Sequence, residues 1–361
     1  MKERFDAIQV LRAIAATLVV FEHALFNWAS KATLPGSIPS FPHLGDYGVK
    51  LFFCISGFII VHTAYNMPAG WESTKTFWRR RIQRIVPLYW IVTTVYLLKL
   101  LATGHGLELD QILKSYLFIP YVNAGGLVQP LLGQGWSLNY EMLFYLTFGA
   151  LFFLPRRWHA LTTAGLITLL AGARAFGWLE NADTAGALYH WADSVILYFV
   201  AGVLACLVAK QWRAKKWPAF SQGTATLVAA VIVAAFAGFA LPHYQERAYA
   251  WMPLACIAPL LICITAPAGA VSTFWQPAIY AGDASYSTYL THGFVMGPLA
   301  TLLGGLSASG SLGYYGFAWI CVLLCTGAGY LVFVGVEQPL SKGRSVFRWG
   351  FGKLMNRAAA R

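Results

Sequence analysis

Charged residues are scarce in this sequence. Only 11% of the 361 residues are charged, whereas 58% are hydrophobic and the mean hydropathy is +0.58. Soluble domains carry about 25% charged residues, so this composition argues against the two or three soluble domains that the length alone would allow. Long apolar stretches recur, and each approaches the roughly 20 residues that a membrane-spanning helix needs. The sequence therefore predicts an all-α, polytopic membrane bundle.

The sequence also lacks the common signatures of soluble enzymes and metal sites. It contains no Walker A motif, no GxSxG nucleophile elbow and no HExxH motif. Its six cysteines lie inside apolar runs without a CxxC pair, so we interpret them as buried structural thiols and expect no metal site. No soluble domain carries the net charge of +12, so we expect no nucleic-acid partner.

Ten apolar segments are candidate membrane spans. The first, although it follows Lys2 and Arg4 as a signal peptide would, contains charged residues and is interpreted as a retained helix. The breaks between segments carry Gly, Pro or charge. The ten segments are about 8–28, 47–66, 85–103, 136–154, 158–176, 188–209, 224–241, 248–267, 284–303 and 313–335.

The distribution of basic residues predicts the orientation. Most of the 26 Lys and Arg residues fall at the two termini and in alternate connecting segments, and such segments face the cytoplasm. We therefore expect both termini in the cytoplasm, a multi-pass protein of a bacterial inner membrane, and contacts with anionic lipid. The expected domains are a transmembrane domain at 1–340 and a basic amphipathic cytoplasmic tail at 341–361, which alternates charge with Phe and Trp.

Charged and titratable residues interrupt the first span. Arg12 and His23 are eleven residues apart, which on a helix places them on one face and separates them by roughly 16 Å along the axis. A cation near the cytoplasmic surface and an imidazole deeper in the membrane suit an anionic ligand and a general base. The alternative is that Arg12 extends to the interface and His23 bonds a neighbouring helix. Glu22 points elsewhere, as a supporting partner or an outer-interface residue.

The segment FWRRRIQRIVPLYW carries a cluster of arginines. Arg81 and Arg84 share a helix face just before the third span, and Pro87 suits its first turn or a kink. Paired guanidinium groups bind phosphate in a bidentate way. The alternative is a cluster that only sets topology.

Two further segments place polar residues inside predicted spans. In WSLNYEMLFYL, Trp136 suits the outer interface, and Glu141 lies about one and a half turns further in, where a carboxylate needs a partner such as His23 or an arginine. In SYSTYLTH, Tyr286 and His292 lie on one stripe of the ninth span. A structural ion pair and plain interhelical hydrogen bonds are the alternatives.

These segments together resemble the acyltransferase-3 family of integral membrane acyltransferases, and most closely its exopolysaccharide O-acetylase branch of the ExoZ type. The resemblance rests on IQVLRAIAATLVVFEHA, GVKLFFCISGFII, RRRIQRIVPLYW, WSLNYEMLFY, SYSTYLTH and VEQPL, from residue 5 to about 340. It implies transfer of an acetyl group from cytoplasmic acetyl-CoA to a sugar hydroxyl of a surface or exported polysaccharide.

The resemblance also implies roles for individual residues. His23 is the expected general base or acyl relay, with Glu141 orienting the catalytic groups. Arg12, Arg81 and Arg84 are expected to bind the CoA phosphates. The expected acceptor is a glycan or a lipid-linked oligosaccharide, with polysaccharide export machinery as a further candidate partner. Expected substrate-binding residues are Trp136, Ser137, Tyr286 and His292.

The sequence leaves three other functions open, one of which is a scaffold subunit of a polysaccharide export complex that would tolerate His23→Ala. Succinyl transfer to the same class of glycan differs only in the acyl group. A proton- or anion-coupled transporter would use the same intramembrane residues, but it predicts broken helices related by a repeat, and no internal repeat is visible.

Overall fold

The computed structural model describes residues 5–29, 43–181, 186–267, 271–303 and 311–342. These residues are nearly all helical; they contain no β-strand, only an isolated bridge between Val122 and Val128. The all-α prediction is confirmed. The tail predicted at 341–361 lies outside the described residues from position 343 onward.

The fourteen α-helices of the described residues are numbered in chain order. They are α1 Asp6–Ala29, α2 Leu44–Ala64, α3 Trp71–Ala102, α4 Leu109–Tyr116, α5 Trp136–Ala150, α6 Arg156–Ala175, α7 Ala187–Trp191, α8 Leu197–Ala214, α9 Gln222–Ala235, α10 Leu241–Thr265, α11 Gln276–Asp283, α12 Ser285–Leu303, α13 Ser311–Val332 and α14 Gln338–Ser341.

Six helices of the described residues are long and apolar enough to cross a membrane. They are 6–28, 44–64, 71–102, 194–214, 222–239 and 313–341. Helices α5, α6, α10 and α12 occupy the other four segments in which spans are expected. The protein is therefore a helical membrane protein, while the count of ten spans stays a prediction.

Contacts between residues divide the chain into two compact units. The first unit contains 1–62 and 201–331, and the second contains 63–200 and 332–361. In the first unit, α1 packs against α11 and α12, and α9 packs against α10. The crossing of α1 and α11 is close, because a Cβ atom on Gly282 would lie 1.9 Å from the backbone oxygen of Gln9. Only glycine permits this approach, which fixes α1 against its neighbour.

The second unit packs α3, α5 and α6 around an aromatic core. The ring centroids of Phe77 and Phe148 are 5.3 Å apart, and those of Phe148 and His159 are 4.2 Å apart. Helices α3 and α5 cross where the indole ring of Trp78 packs against Gly149. A Cβ atom added to Gly149 would lie 2.0 Å from the indole nitrogen. The indole nitrogen donates to the backbone oxygen of Tyr145 at 3.1 Å. This crossing sets α3 and α5 against each other.

Helix α3 begins earlier than the expected span at 85–103. It starts at Trp71 and runs to Ala102, so that Arg81 and Arg84 lie within the helix and Pro87 lies in its interior. Of the two placements that the sequence left open for Pro87, the first turn of the helix is therefore excluded, and the helix interior, where proline can kink a helix, remains. Arginine and lysine are good helix formers, so the helix continues beyond the apolar segment that marks the span. The six cysteines are buried and free, as expected.

Candidate functional site

Helix α1 carries Arg12 and His23 without interruption between them. The helical arithmetic that places both residues on one face therefore applies to this chain. Arg12 is 9% exposed, and its Nη1 donates to Oε1 of Gln9 at 3.2 Å. His23 is half-buried, and Nδ2 of Asn27 donates to its backbone oxygen at 2.8 Å. Both side chains are thus held by one helix of the first unit.

His23 and His292 form a hydrogen-bonded pair. Nδ1 of His23 lies 2.8 Å from Nε2 of His292, and the rings stack with centroids 5.0 Å apart and an interplanar angle of 25°. The two residues are 269 positions apart in the sequence. They meet because α1 packs against α12.

The contacts of His292 determine the tautomers of the neutral pair. Nδ1 of His292 lies 2.7 Å from the backbone oxygen of Tyr289, which can only accept a hydrogen bond, so this nitrogen carries the proton. Nε2 of neutral His292 then has a lone pair and accepts from Nδ1–H of His23. Neutral His23 therefore carries no proton on Nε2. A nitrogen with a free lone pair is what a general base requires.

The two histidines differ in their access to a substrate. His292 is only 1% exposed, whereas His23 is half-buried. An apolar cluster near the pair includes Val20, Ala24 and Met296. Tyr286, the other residue expected on this stripe, is half-buried. His23 is thus the more accessible ring of the pair, and the buried His292 holds it through the hydrogen bond between them.

Glu22 has a definite partner in the structure. Its Oε2 accepts a hydrogen bond from the backbone N–H of Gly45 at 2.7 Å, in the first turn of α2. A carboxylate at this position satisfies one of the N–H groups that a helix leaves unpaired, and it complements the helix dipole. Glu22 therefore joins α1 to the start of α2. The sequence alone left the role of Glu22 undecided.

The second unit holds the other predicted catalytic residue, Glu141. The hydroxyl of Tyr145 donates to Oε1 of Glu141, one turn along α5. The guanidinium of Arg81 lies 5.5 Å from the centroid of the Tyr145 ring and 5.5 Å from that of Phe77. Nη2 of Arg81 also donates to Oγ1 of Thr63 at 3.0 Å. Tyr145 therefore joins Glu141 to Arg81, and Arg84 lies one turn further along the α3 face.

Trp136 and Ser137 occupy the first turn of α5. The Trp136 ring packs edge-on against Tyr140, with centroids 6.0 Å apart. Ser137 is 5% exposed, and its hydroxyl donates to the backbone oxygen of Gln134 at 3.3 Å. Trp191 anchors α5 further along, because its Nε1 donates to the backbone oxygen of Asn139 at 3.2 Å. Helix α7, which ends at Trp191, thus supports the first turn of α5 through this hydrogen bond.

The structure brings together two separate sets of the predicted residues. His23 and His292 pair in the first unit, and Arg81 and Glu141 share Tyr145 in the second. Tyr145 was not among the predicted residues, although its position four residues after Glu141 on a helix could have indicated it. Within the described part of the chain, no group of three His, Cys, Asp or Glu side chains could hold a metal ion.

Known proteins provide an independent comparison. The sequence profile of the acyltransferase-3 family, described as an acyltransferase domain, matches residues 5–334. The exopolysaccharide production protein ExoZ of Rhizobium meliloti (strain 1021) is 31% identical over 309 residues, which cover 84% of this chain and 92% of ExoZ. No solved structure matches the chain significantly.

Two further relatives extend this comparison. The acyltransferase MdmB of Streptomyces mycarofaciens is 27% identical over 337 residues, which cover 82% of this chain and 81% of MdmB. YrhL of Bacillus subtilis (strain 168), a proposed peptidoglycan O-acetyltransferase, is 24% identical over 313 residues, or 78% of this chain and 47% of YrhL. The chain belongs to the acyltransferase-3 family and is a membrane acyltransferase.

Proposed function

We propose that this acyltransferase moves an acetyl group from cytoplasmic acetyl-CoA to a sugar hydroxyl of a surface or exported polysaccharide. The name of ExoZ describes exopolysaccharide production, and that of YrhL describes O-acetylation of peptidoglycan. Both names support a glycan acceptor. The observation that carries the proposal is the His23–His292 pair, with Nε2 of His23 unprotonated in the neutral state.

This pair supports a direct general-base reaction. Nε2 of His23 takes the proton of the acceptor hydroxyl while that oxygen bonds to the thioester carbonyl carbon. The carbon–sulfur bond then breaks, and the proton passes from His23 Nε2 to the departing CoA thiolate. The products are an acetyl ester and CoA. His292 Nε2 accepts from Nδ1–H of His23 throughout, which stabilises the transient imidazolium.

The proposed role of His292 follows from its burial. At 1% exposure its ring has little access to a substrate, so we propose that it positions His23 and fixes its tautomer. Tyr286, Trp136 and Ser137 remain proposed contacts of the acceptor.

The arginines are the proposed binding groups for the donor. Arg12 lies on the His23 face of α1, and Arg81 is oriented by Thr63 and the Tyr145 ring. These two arginines and Arg84 each carry a guanidinium group that suits a CoA phosphate. Glu141, which accepts from Tyr145, is proposed to orient Arg81.

We further propose ten spans, two cytoplasmic termini and an inner-membrane location. The basic segments then face the cytoplasm, where acetyl-CoA is available. A lipid-linked oligosaccharide and the polysaccharide export machinery are candidate partners.

The test is O-acetylation of the glycan in a deletion strain that expresses the wild type or His23→Ala. We expect His23→Ala to lower the acetyl content by about 100-fold or more, because general-base catalysis contributes about 10²–10⁴-fold. Acetyl groups are measured by NMR of the purified polysaccharide, with membrane levels of protein matched by immunoblotting. The control is Phe26→Ala, whose side chain on the same helix is 73% exposed.

Full acetylation by His23→Ala at equal protein level would overturn the proposed mechanism. If the wild-type glycan carries succinyl esters, the proposed donor is a succinyl donor and not acetyl-CoA. Solute flux without any dependence on CoA would favour the transporter.

A further inference from the structure

Helix α13 makes two close contacts with α12, the helix that carries the partner of His23. A Cβ atom added to Gly329 would lie 2.1 Å from Oγ1 and 2.6 Å from Cα of Thr288. One turn earlier on α13, Sγ of Cys325 donates to the backbone oxygen of His292 at 3.7 Å. Thr288 lies one turn before His292 on α12. The two helices are therefore antiparallel here, and each turn of one faces a turn of the other.

The approach of the two helices at Gly329 is too close for any other residue. Carbon atoms in contact normally lie about 3.5–4.0 Å apart, so a methyl group at this position would push α12 away by about 1 Å. The contact includes the Cα atom of Thr288, so a change of side-chain rotamer does not relieve it. Gly329 therefore sets the distance between α12 and α13 one turn before His292.

The hydrogen bond of the histidine pair is sensitive to the position of α12. Nδ1 of His23 and Nε2 of His292 are 2.8 Å apart, and at about 3.6 Å the two groups are no longer hydrogen-bonded. His292 is only 1% exposed, so its ring has little free space in which to compensate. A displacement of about 1 Å one turn away is enough to break the bond or to force the two rings together.

Helix α13 also packs against α1, which carries the other histidine. The ring centroids of Trp28 and Phe317 are 4.6 Å apart, and those of Phe21 and Trp319 are 5.2 Å apart. Residues of α1, α12 and α13 share one apolar cluster. Helix α13 is thus a common support for the helices of both histidines.

We propose that Gly329 is a positioning residue of the acyl transfer and acts through His292. Because it holds α12 close to α13, it keeps Nε2 of His292 within reach of Nδ1–H of His23. The inference rests on the proposed function, in which the histidine pair carries the reaction.

The test is a double-mutant cycle between Gly329 and His292. Radiolabelled acyl transfer by the purified full-length protein gives kcat and KM. We expect Gly329→Ala to lower kcat about tenfold with KM unchanged, because misplacement of a catalytic group by about 1 Å can cost up to about 100-fold. In the His292→Phe background, Gly329→Ala should change kcat by less than about twofold, because the hydrogen bond that it disturbs is already absent.

The His292→Phe background separates positioning from general support of the fold. If Gly329 only stabilises the fold, its effect on kcat adds to that of His292→Phe. The control is Gly327→Ala on the same helix, because a Cβ atom there would have no atom of the described residues within 4 Å. We expect Gly327→Ala to have the kcat of the wild type. Thermal unfolding checks that the variants are folded.

A second variant enlarges the same contact from the other helix. Thr288→Ile adds bulk on α12 opposite Gly329, and overpacking of this kind displaces the backbone. We expect it to lower kcat in the same direction as Gly329→Ala, and it takes the place of Gly329→Ala in the cycle if that variant does not fold.

Three results would overturn the inference and leave the proposed function standing. They are a wild-type kcat in both Gly329→Ala and Thr288→Ile, a tenfold loss that persists in the His292→Phe background, and an equal loss in Gly327→Ala. A wild-type kcat in His292→Phe alone would overturn the proposed role of the histidine pair, and this inference with it.

Discussion

The two units hold their buried polar groups in different ways. In the first unit, His23 and His292 share a hydrogen bond between neutral rings, and Glu22 binds a backbone N–H. In the second unit, the guanidinium of Arg81 lies beside the ring of Tyr145, and the hydroxyl of Tyr145 donates a hydrogen bond to the carboxylate of Glu141. Neutral pairs avoid most of the penalty for burying charge, whereas ionic groups need a partner. The first arrangement suits proton transfer, and the second suits a fixed cation.

Among the contacts that support the two units, removal of the acceptor in the neutral pair should have the largest effect. His292→Phe keeps a ring in the buried site but leaves Nδ1–H of His23 without its partner. We expect kcat to fall about 10–100-fold, because a buried unsatisfied donor costs about 1–3 kcal/mol, and KM to stay the same. Radiolabelled acyl transfer by the purified protein measures both constants.

The matched variant for His292 is His292→Gln, whose amide oxygen can accept the same N–H. We expect it to recover part of kcat. A rise in KM with unchanged kcat would instead assign His292 to substrate binding, as the sequence first indicated.

A smaller effect is expected in the ionic cluster. Tyr145→Phe keeps the ring beside Arg81 but removes the hydroxyl that donates to Glu141. A hydrogen bond to a charged group contributes about 1.5–3 kcal/mol, so we expect a loss of about 1.5 kcal/mol in the free energy of unfolding. Tyr140→Phe is the comparison on the same helix, because the Tyr140 hydroxyl donates to a neutral backbone oxygen, that of His190. Equal losses in the two variants would contradict a charged Glu141.

The smallest effect should come from Glu22. Glu22→Gln keeps an oxygen that can accept from the Gly45 N–H but removes the charge at the start of α2. We expect a loss of about 0.5 kcal/mol, within the range for a charge at a helix terminus, and it is measured by thermal unfolding. The proposed role is wrong if Glu22→Gln destabilises the protein as much as Glu22→Ala does.

The sequence was sufficient for the helices but not for the contacts between distant segments. The first apolar segment with Arg12 and His23 predicted α1 correctly, because both hydropathy and helical period are local properties. The partner of His23 lies 269 residues away, and no local pattern in a single sequence indicates such a pairing. Tyr145 was missed although a local signal existed. The span expected at 85–103 marked only the apolar part of α3, and the start of the helix at Trp71 was not predicted because hydropathy does not indicate where a polar helical segment begins.

The distance in sequence between His23 and His292 has a consequence for synthesis. Ribosomes add about 5–20 residues per second, so the 269 residues between the two histidines separate their appearance by roughly 13–54 s. During that interval α1 is already made, but α12 is not. Any membrane insertion of α1 in that time takes place with His23 lacking the partner that orients it. His23 therefore meets the side chain that fixes its tautomer only after α12 has been made.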